Sequence, residues 1–249
     1  MKFQLMSDLH LEFGWDYPDV EEKLDTTLIL AGDIETNLFA LENFVTYMCS
    51  KYERVIMVAG NHEFYGQDYR YVLSELRKIG PNNFIFMENN SLTLMEEKVQ
   101  IIGATLWSSP SFGVFNYIND SRLIQYDNRK LCSSDIEKFN EYSTKYIKSK
   151  LEKDLGLGWR KVVVTHFGPD ARLMHPKWLK DNQMSTYFWA SGFENHFHMA
   201  TAWFFGHTHD PTNMLIDGCR CVCNPHGYVW MNGKQREHYN FDFNKIIEV

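Results

Sequence analysis

The chain has no apolar run long enough to span a membrane, and its opening MKFQLMSDLH reads as the start of a strand and not as a signal peptide. Neither membrane insertion nor export is expected. Positive charge is in short supply: 25 Lys and Arg stand against 32 Asp and Glu, a formal −7, so no basic footprint for duplex nucleic acid exists. Bound cations would add charge outside that count and leave a local positive groove open. Cysteines number five, an odd count without a Cys-x-x-Cys pair, which argues against a disulfide framework. Cys219, Cys221 and Cys223 alternate in CRCVCN, so a strand would turn all three to one face as buried thiols, with soft-metal binding the lesser alternative. A reducing cytoplasm is the expected compartment.

What is present reads as a folded α/β domain over residues 1–249: 44% hydrophobic and 15% aromatic content can fill a sizeable core. Short apolar runs alternate with helical periodicity in the first half, predicting helices over Leu38–Cys49 and Gln67–Ile79, the latter stopped at Gly80-Pro81. That βαβ alternation implies parallel strands. FIFME, SLTLME and KVQIIGATLW read as three further strands. Residues 108–158 form a polar, aromatic-studded stretch with a helix near Ser134–Asp154, and are the candidate cap or insertion. Residues 167–199 are long and weakly periodic, but their aromatics argue for order. NMLID, CRCVCN and HYNFDF suggest an antiparallel finish to the sheet.

Five apolar runs end in Asp, Asn or His. Asp8 and His10 follow FQLMS, Asp33 closes TLILAGD, Asn61 and His62 close VIMVAGNH, His166 closes KVVVTH, and His207 and His209 close AWFFGHTH. Ligands at strand ends converge on one rim of a sheet. In D-x-H and H-x-H both side chains can reach one ion, and a lone carboxylate such as Asp33 can bridge two ions roughly 3.5–4 Å apart. Asn61 adds a neutral oxygen and His166 completes the second ion. Alone, each piece is more often a loop Asp or a helix cap. All five in this order point to a pair of metal ions, and the carboxylate, amide and imidazole donors suit Mn, Fe, Zn or Ni, with Mn2+ first.

In that order, DLH, GD, GNHE, a strand-His and GHTH resemble the calcineurin-like metallophosphoesterase superfamily. CNPHGY with FDF, and ATLW with NDSRLI, also resemble a subgroup of poorly characterised bacterial and phage phosphohydrolases. The resemblance implies a four-layer α-β-β-α sandwich with two metals at the strand ends. It assigns Asp8, His10 and His209 to one metal, Asn61, His166 and His207 to the other, Asp33 to the bridge, and leaves His62 as the catalytic histidine. The implied reaction is hydrolysis of a small phosphodiester or phosphomonoester by a metal-bridging hydroxide, with His62 protonating the leaving alkoxide or steadying a phosphoryl oxygen. A diester is preferred. The alternatives are a nuclease on single strands and a scaffold that kept the fold without the chemistry.

One departure stands out. Phosphoprotein phosphatases extend the Asp33 motif to G-D-x-x-D-R-G, whereas this chain reads GDIETN, with Thr36 and Asn37 replacing the acid and the phosphate-binding Arg. Glu35 is then the candidate partner of His62. Arg122, Arg172, Lys177 and His226 are candidate substrate contacts, although a surface residue is the commoner reading of each. His196 and His198 read as core or rim, and His175 and His238 as surface. Tyr65, Trp107, Phe112, Phe115 and Tyr117 offer an aromatic wall or, more commonly, core. Oligomeric state is left open.

Overall fold

The computed structural model describes residues 1–14, 17, 19–110, 112–180, 184–229, 237 and 241–249. Thirteen strands run in chain order among them: β1 (Lys2–Met6), β2 (Lys23–Ala31), β3 (Tyr52–Val58), β4 (Phe84–Phe86), β5 (Asn90–Leu94), β6 (Val99–Ala104), β7 (Gln125–Tyr126), β8 (Arg129–Lys130), β9 (Arg160–Thr165), β10 (Ala202–Phe205), β11 (Thr212–Ile216), β12 (Cys219–Cys223) and β13 (Ile246–Glu248). The helices are α1 (Leu38–Cys49), α2 (Tyr69–Leu76), α3 (Phe112–Phe115), α4 (Asp120–Leu123) and α5 (Ser133–Glu152). One sheet is ordered β13-β1-β2-β3-β4 and the other β11-β12-β10-β9-β6-β5. The inner strands of both are parallel, with antiparallel strands β13, β11 and β5 at three of the four edges.

Strand alternation explains the layering. Ile29, Ala31, Ile56 and Val58 turn inward to meet Ile101, Val162, Val164 and Phe204 of the opposite sheet in one buried cluster. Leu28, Leu30, Val55 and Met57 turn the other way, onto Leu41, Phe44, Val45 and Val72 of α1 and α2. On the second sheet, Ile102, Val163 and Trp203 meet Ile147 and Leu151 of α5. With both faces covered, the strands read as continuous apolar runs. The four-layer α-β-β-α architecture follows, as the motifs imply. Cys219, Cys221 and Cys223 do share one face, buried in the cluster with α5.

Two expectations shift. The last strand is not in HYNFDF: residues 238–240 lie outside the described residues, Phe241–Phe243 are not strand, and the tail instead adds β13 beside β1. And β12, although antiparallel to β11, pairs parallel with β10. The stretch at 108–158 belongs to the connection between β6 and β9, which are themselves paired. It carries α3, α4, the β7-β8 ribbon and α5.

The start of α5 is held by one carboxylate. Asp135 accepts the Cys132 backbone N–H and a forked pair from Arg129 at 2.6 and 2.8 Å. The Arg129 hydrogen bond, against a smaller opposing effect of burial, pulls the Asp135 carboxyl down to about 2. Asp135→Ala is expected to destabilise the fold by about 1 kcal/mol, measured by urea unfolding. Because the folded-state pKa is depressed, this contribution is present above the ordinary carboxylate range and vanishes as pH falls through about 2. The gap between variant and parent should therefore close in acid. A gap that persists at pH 2 contradicts this account.

Candidate metal centre

The parallel strands of both sheets deliver their C-terminal ends to one rim, and backbone bonds lace those ends together. Asp8 N–H donates to Gly32 O, His10 N–H to Asp33 O, and Gly206 N–H to His166 O. Five of the seven predicted ligands leave their strands in the left-handed region: Asp8 (φ 52°), His10 (49°), Asp33 (55°), His207 (66°) and His209 (52°). For residues with a Cβ each such turn costs about 1 kcal/mol or more, and it persists only where the surroundings over-determine it. The glycines before these ligands make room. A Cβ on Gly60 would collide with the Asp33 carboxylate and the His166 ring, and one on Gly206 would lie 2.8 Å from Asp8 Oδ2.

Six of the seven converge, together with His62, in three buried groups whose candidate ligand atoms lie within 4.8 Å of one another: Asp8, His10 and His209; His10, Asp33 and His62; Asp33, His166 and His207. Asn61 joins the last, its Oδ1 3.2 Å from His166 Nε2. Asp33 lies between, with Oδ2 3.4 Å from His166 Nε2 and 3.9 Å from His10 Nε2, while Oδ1 accepts the His62 backbone N–H at 2.8 Å. The donor set fits two divalent cations. His207 Nε2 is buried with no hydrogen-bond partner, and His10 Nε2 faces His209 Nε2 at 3.0 Å, lone-pair sites turned on one another. Nitrogen and oxygen donors without thiolate are what such cations take.

Charges in the cluster pull against burial. Burial depresses the His10 and His207 imidazoles, keeping them neutral, the state a ligand needs. At His166 burial acts the same way but the Asp33 carboxylate outweighs it, raising the imidazole to about 9. Burial also disfavours the Asp33 carboxylate, yet the His166 and His62 charges hold it well below the usual carboxylate range. His62 moves up, burial being overcome by Asp33 and Glu12.

Four carboxylates at this rim were not singled out by sequence reasoning: Glu12, Glu63, Asp120 and Glu237, the last beside His209 Nδ1 at 2.6 Å. Glu12 accepts from His62 Nδ1 at 2.8 Å, whereas the expected partner Glu35 is spent on the Asn37 N–H and Thr36 Oγ1. Glu63, the last letter of GNHE, is buried and accepts the backbone N–H groups of Asp33, Ile34 and Gly60, stapling two ligand loops together. Asp120 Oδ1 accepts from Tyr65 Oη (2.8 Å), Asn61 Nδ2 (3.0 Å) and Tyr187 Oη (3.3 Å). The signals existed: Glu12 follows His10 by two, and Asp120 sits in NDSRL.

The expected substrate contacts are displaced. Arg122 is exposed and donates to Asn119 Oδ1 instead of lining the cleft. His226 does not sit on the expected tight turn: residues 224–227 run parallel beside Ser7 and Asp8, with the His226 backbone N–H donating to Ser7 O, and its ring is buried against Phe241 and Phe243. Arg172 pairs with Asp170 and Lys177 with Asp210. Trp107 and Phe115 are core, Tyr65 and Tyr117 line the cleft, and the Phe112 side chain and His238 lie outside the described residues. His196 bonds Glu152, and His198 is exposed.

The profile of the calcineurin-like phosphoesterases matches residues 1–211, and the chain belongs to that family of metal-dependent phosphoesterases, which implies a dinuclear divalent metal centre. It is 26% identical over 288 residues to an uncharacterized protein of Acanthamoeba polyphaga mimivirus, covering 98% of this chain and 95% of that one. Its fold matches that of the phosphopantetheinyl hydrolase of Mycobacterium tuberculosis, with a TM-score of 0.70 at 18% identity, over 96% of this chain and 94% of that chain. A dimetal phosphatase from Danio rerio matches with a TM-score of 0.53 at 14% identity, over 89% and 86% of the two chains. Among the described residues no helix is long and apolar enough to cross a membrane.

Glu63→Ala removes the acceptor of four buried N–H donors, those of Asp33, Ile34 and Gly60 and, at a longer 3.4 Å, Glu35. It is expected to cost about 3 kcal/mol or more in urea unfolding, at about 1 kcal/mol or above for each orphaned donor. A loss under 1 kcal/mol would show that the staple is dispensable. For the metals, we expect two Mn2+ per chain by elemental analysis of protein equilibrated with excess Mn2+, and no more than one in Asp33→Ala. Two in the variant would remove Asp33 from the bridge.

Proposed function

We propose that the protein is a dinuclear, Mn2+-dependent phosphodiesterase of the cytoplasm, acting on small diesters, with His62 as the catalytic histidine. The observation that carries the diester reading is the charge of the cleft. It holds about 280 Å3, and among the described residues lining it there is no Lys or Arg, while Glu237 is present. A dianionic monoester asks for cations beyond the metal pair, as the missing Arg at Asn37 would supply; a monoanionic diester does not. The volume falls just under the roughly 300–1,000 Å3 usual for drug-sized ligands, which suits a small substrate and disfavours a polynucleotide. Five free cysteines fit a reducing compartment.

The ligands would divide as Asp8, His10 and His209 on one ion and Asn61, His166 and His207 on the other, with Asp33 shared. Such a pair supplies charge to grip phosphoryl oxygens and an acidified water to attack phosphorus. The chain itself handles the leaving side. Glu12 holds His62 at Nδ1, so the proton to be delivered sits on Nε2, which faces the cleft 3.2 Å from Tyr228 Oη. Glu237 holds His209 at Nδ1 (2.6 Å) and fixes the ring with Nε2 inward. The Ala31 carbonyl does the same for His166 at 2.9 Å.

His62→Asn should retain two Mn2+ and lose about 10²-fold in kcat on bis-p-nitrophenyl phosphate. That is the low end for proton transfer, because p-nitrophenolate needs little help to leave. Unchanged turnover would falsify the assigned role. Turnover of p-nitrophenyl phosphate far above the diester would overturn the diesterase preference.

A further inference from the structure

The aromatics of the cleft fall into two groups. Tyr65 and Tyr228 pack on His62, with ring centroids 4.3 and 6.0 Å away. Tyr187 and Phe188 pack on His207, at 4.7 and 5.7 Å, and Trp178 extends them, 4.4 Å from Phe188 and inclined by 30°. Tyr117 opens the cleft between α3 and α4, and is 81% exposed. If departure is on the His62 side, the Tyr187–Phe188–Trp178 side flanks the substituent that stays on phosphorus.

The polar handles of this second group are already used. Tyr187 donates its hydroxyl to Asp120, and Trp178 its Nε1–H to Asp210 at 2.6 Å. What remains for a ligand is ring surface, held rigid because Asp120 also grips Asn61. At the rim Asn119 accepts from Arg122 through Oδ1, so its amide N–H groups are the donors it has to offer. Among the described lining residues there is no Lys or Arg, and Lys177, whose Nζ stands 4.7 Å from the centroid of the Trp178 ring, is already paired with Asp210, so a second phosphate or carboxylate would have to compete with that carboxylate for its charge. Flat, uncharged and edged with acceptor atoms describes a nucleobase better than a hydrocarbon ring or a polyphosphate.

We propose that Tyr117, Trp178, Tyr187 and Phe188 form a ring-binding subsite that selects phosphodiesters whose retained group is a nucleoside. The proposal rests on the diesterase reading. Stacking on aromatic side chains is tolerant of base identity, so selection is for a base and not for one base.

Two diesters with the same leaving group isolate the retained side: p-nitrophenyl thymidine 5′-phosphate and methyl p-nitrophenyl phosphate, assayed on the Mn2+-loaded full chain. The wild-type kcat/KM is expected to favour the nucleoside ester at least about tenfold, which is about 1.4 kcal/mol. Tyr117→Ala should lower that ratio about tenfold, the size of one lost base stack. Tyr117→Phe keeps the ring and should keep the ratio. A wild-type ratio within twofold of unity, with the methyl ester turned over, overturns the subsite and leaves the diesterase standing. A ratio unmoved by Tyr117→Ala overturns the assignment of the wall. Turnover of neither ester overturns the diesterase reading and the subsite with it.

Discussion

Asp33 is a carboxylate almost wholly withdrawn from water at the floor of the cleft, and the rim of the sandwich is built around keeping it ionised. Burying an isolated carboxylate costs several kcal/mol even after relaxation, so the charge must be met on every side. One oxygen takes the His62 backbone N–H, the other faces His166 and His10, and no side chain stands at Gly60 below it. Its backbone in turn hangs from a second buried carboxylate, Glu63. Two acids a few residues apart in space would repel, and burial with the Asp33 charge does push Glu63 up to about 7. Imidazoles offset only part of this. A pair of divalent cations offsets it outright, which is why the centre reads as a metal site and not as a salt-bridge network.

The cost of that arrangement is paid in backbone. Five ligands sit in the left-handed region, each a local penalty that isolated chain segments would avoid. Three buried clusters hold them there, one between the sheets and one beneath the helices on each outer face. Parallel strands matter in this, because they bring all their C-terminal ends to the same edge. Antiparallel strands are confined to positions where no ligand is needed: β5, β11 and β13 carry none. Topology and chemistry are thus tied through strand direction.

The same logic explains what could be read from residue order. Ligands that end strands announce themselves, since an apolar run interrupted by Asp or His is locally odd; all eight such residues meet at the rim. The helices α1 and α2 were legible from the spacing of their apolar residues, and α5 was placed within two residues of its bounds. Supporting carboxylates were not, because Glu12, Glu63 and Asp120 interrupt no pattern and only distance in the fold gives them partners. Three-residue β13 was invisible for a related reason: only Ile247 is buried, and its pairing partner lies at the opposite end of the chain. His226 shows the converse failure. Asn224-Pro225 and Gly227 suggested a turn, but the segment pairs alongside Ser7 and Asp8 instead, and the ring faces Phe241 rather than the cleft.

Charge selection follows from how sparingly the chain uses cations. A phosphatase for dianionic monoesters can bring Arg to the phosphate, fixed in place and independent of metal occupancy. The described side chains lining this cleft are neutral aromatics, imidazoles and the Glu237 carboxylate, with no Lys or Arg among them, so a metal pair would be the main source of attraction for an anion there. Ions held by these residues would meet the oxygens of Asp8, Asp33 and Asn61, which would offset part of their positive charge before a substrate arrives. An additional anionic arm on the substrate would meet Glu237 or an aromatic face without a partner. On the proposed diesterase reading, discrimination by the chain comes from shape and ring surface rather than from charge, and Asp120, which accepts from both Tyr187 and Asn61, ties that surface to a candidate metal ligand.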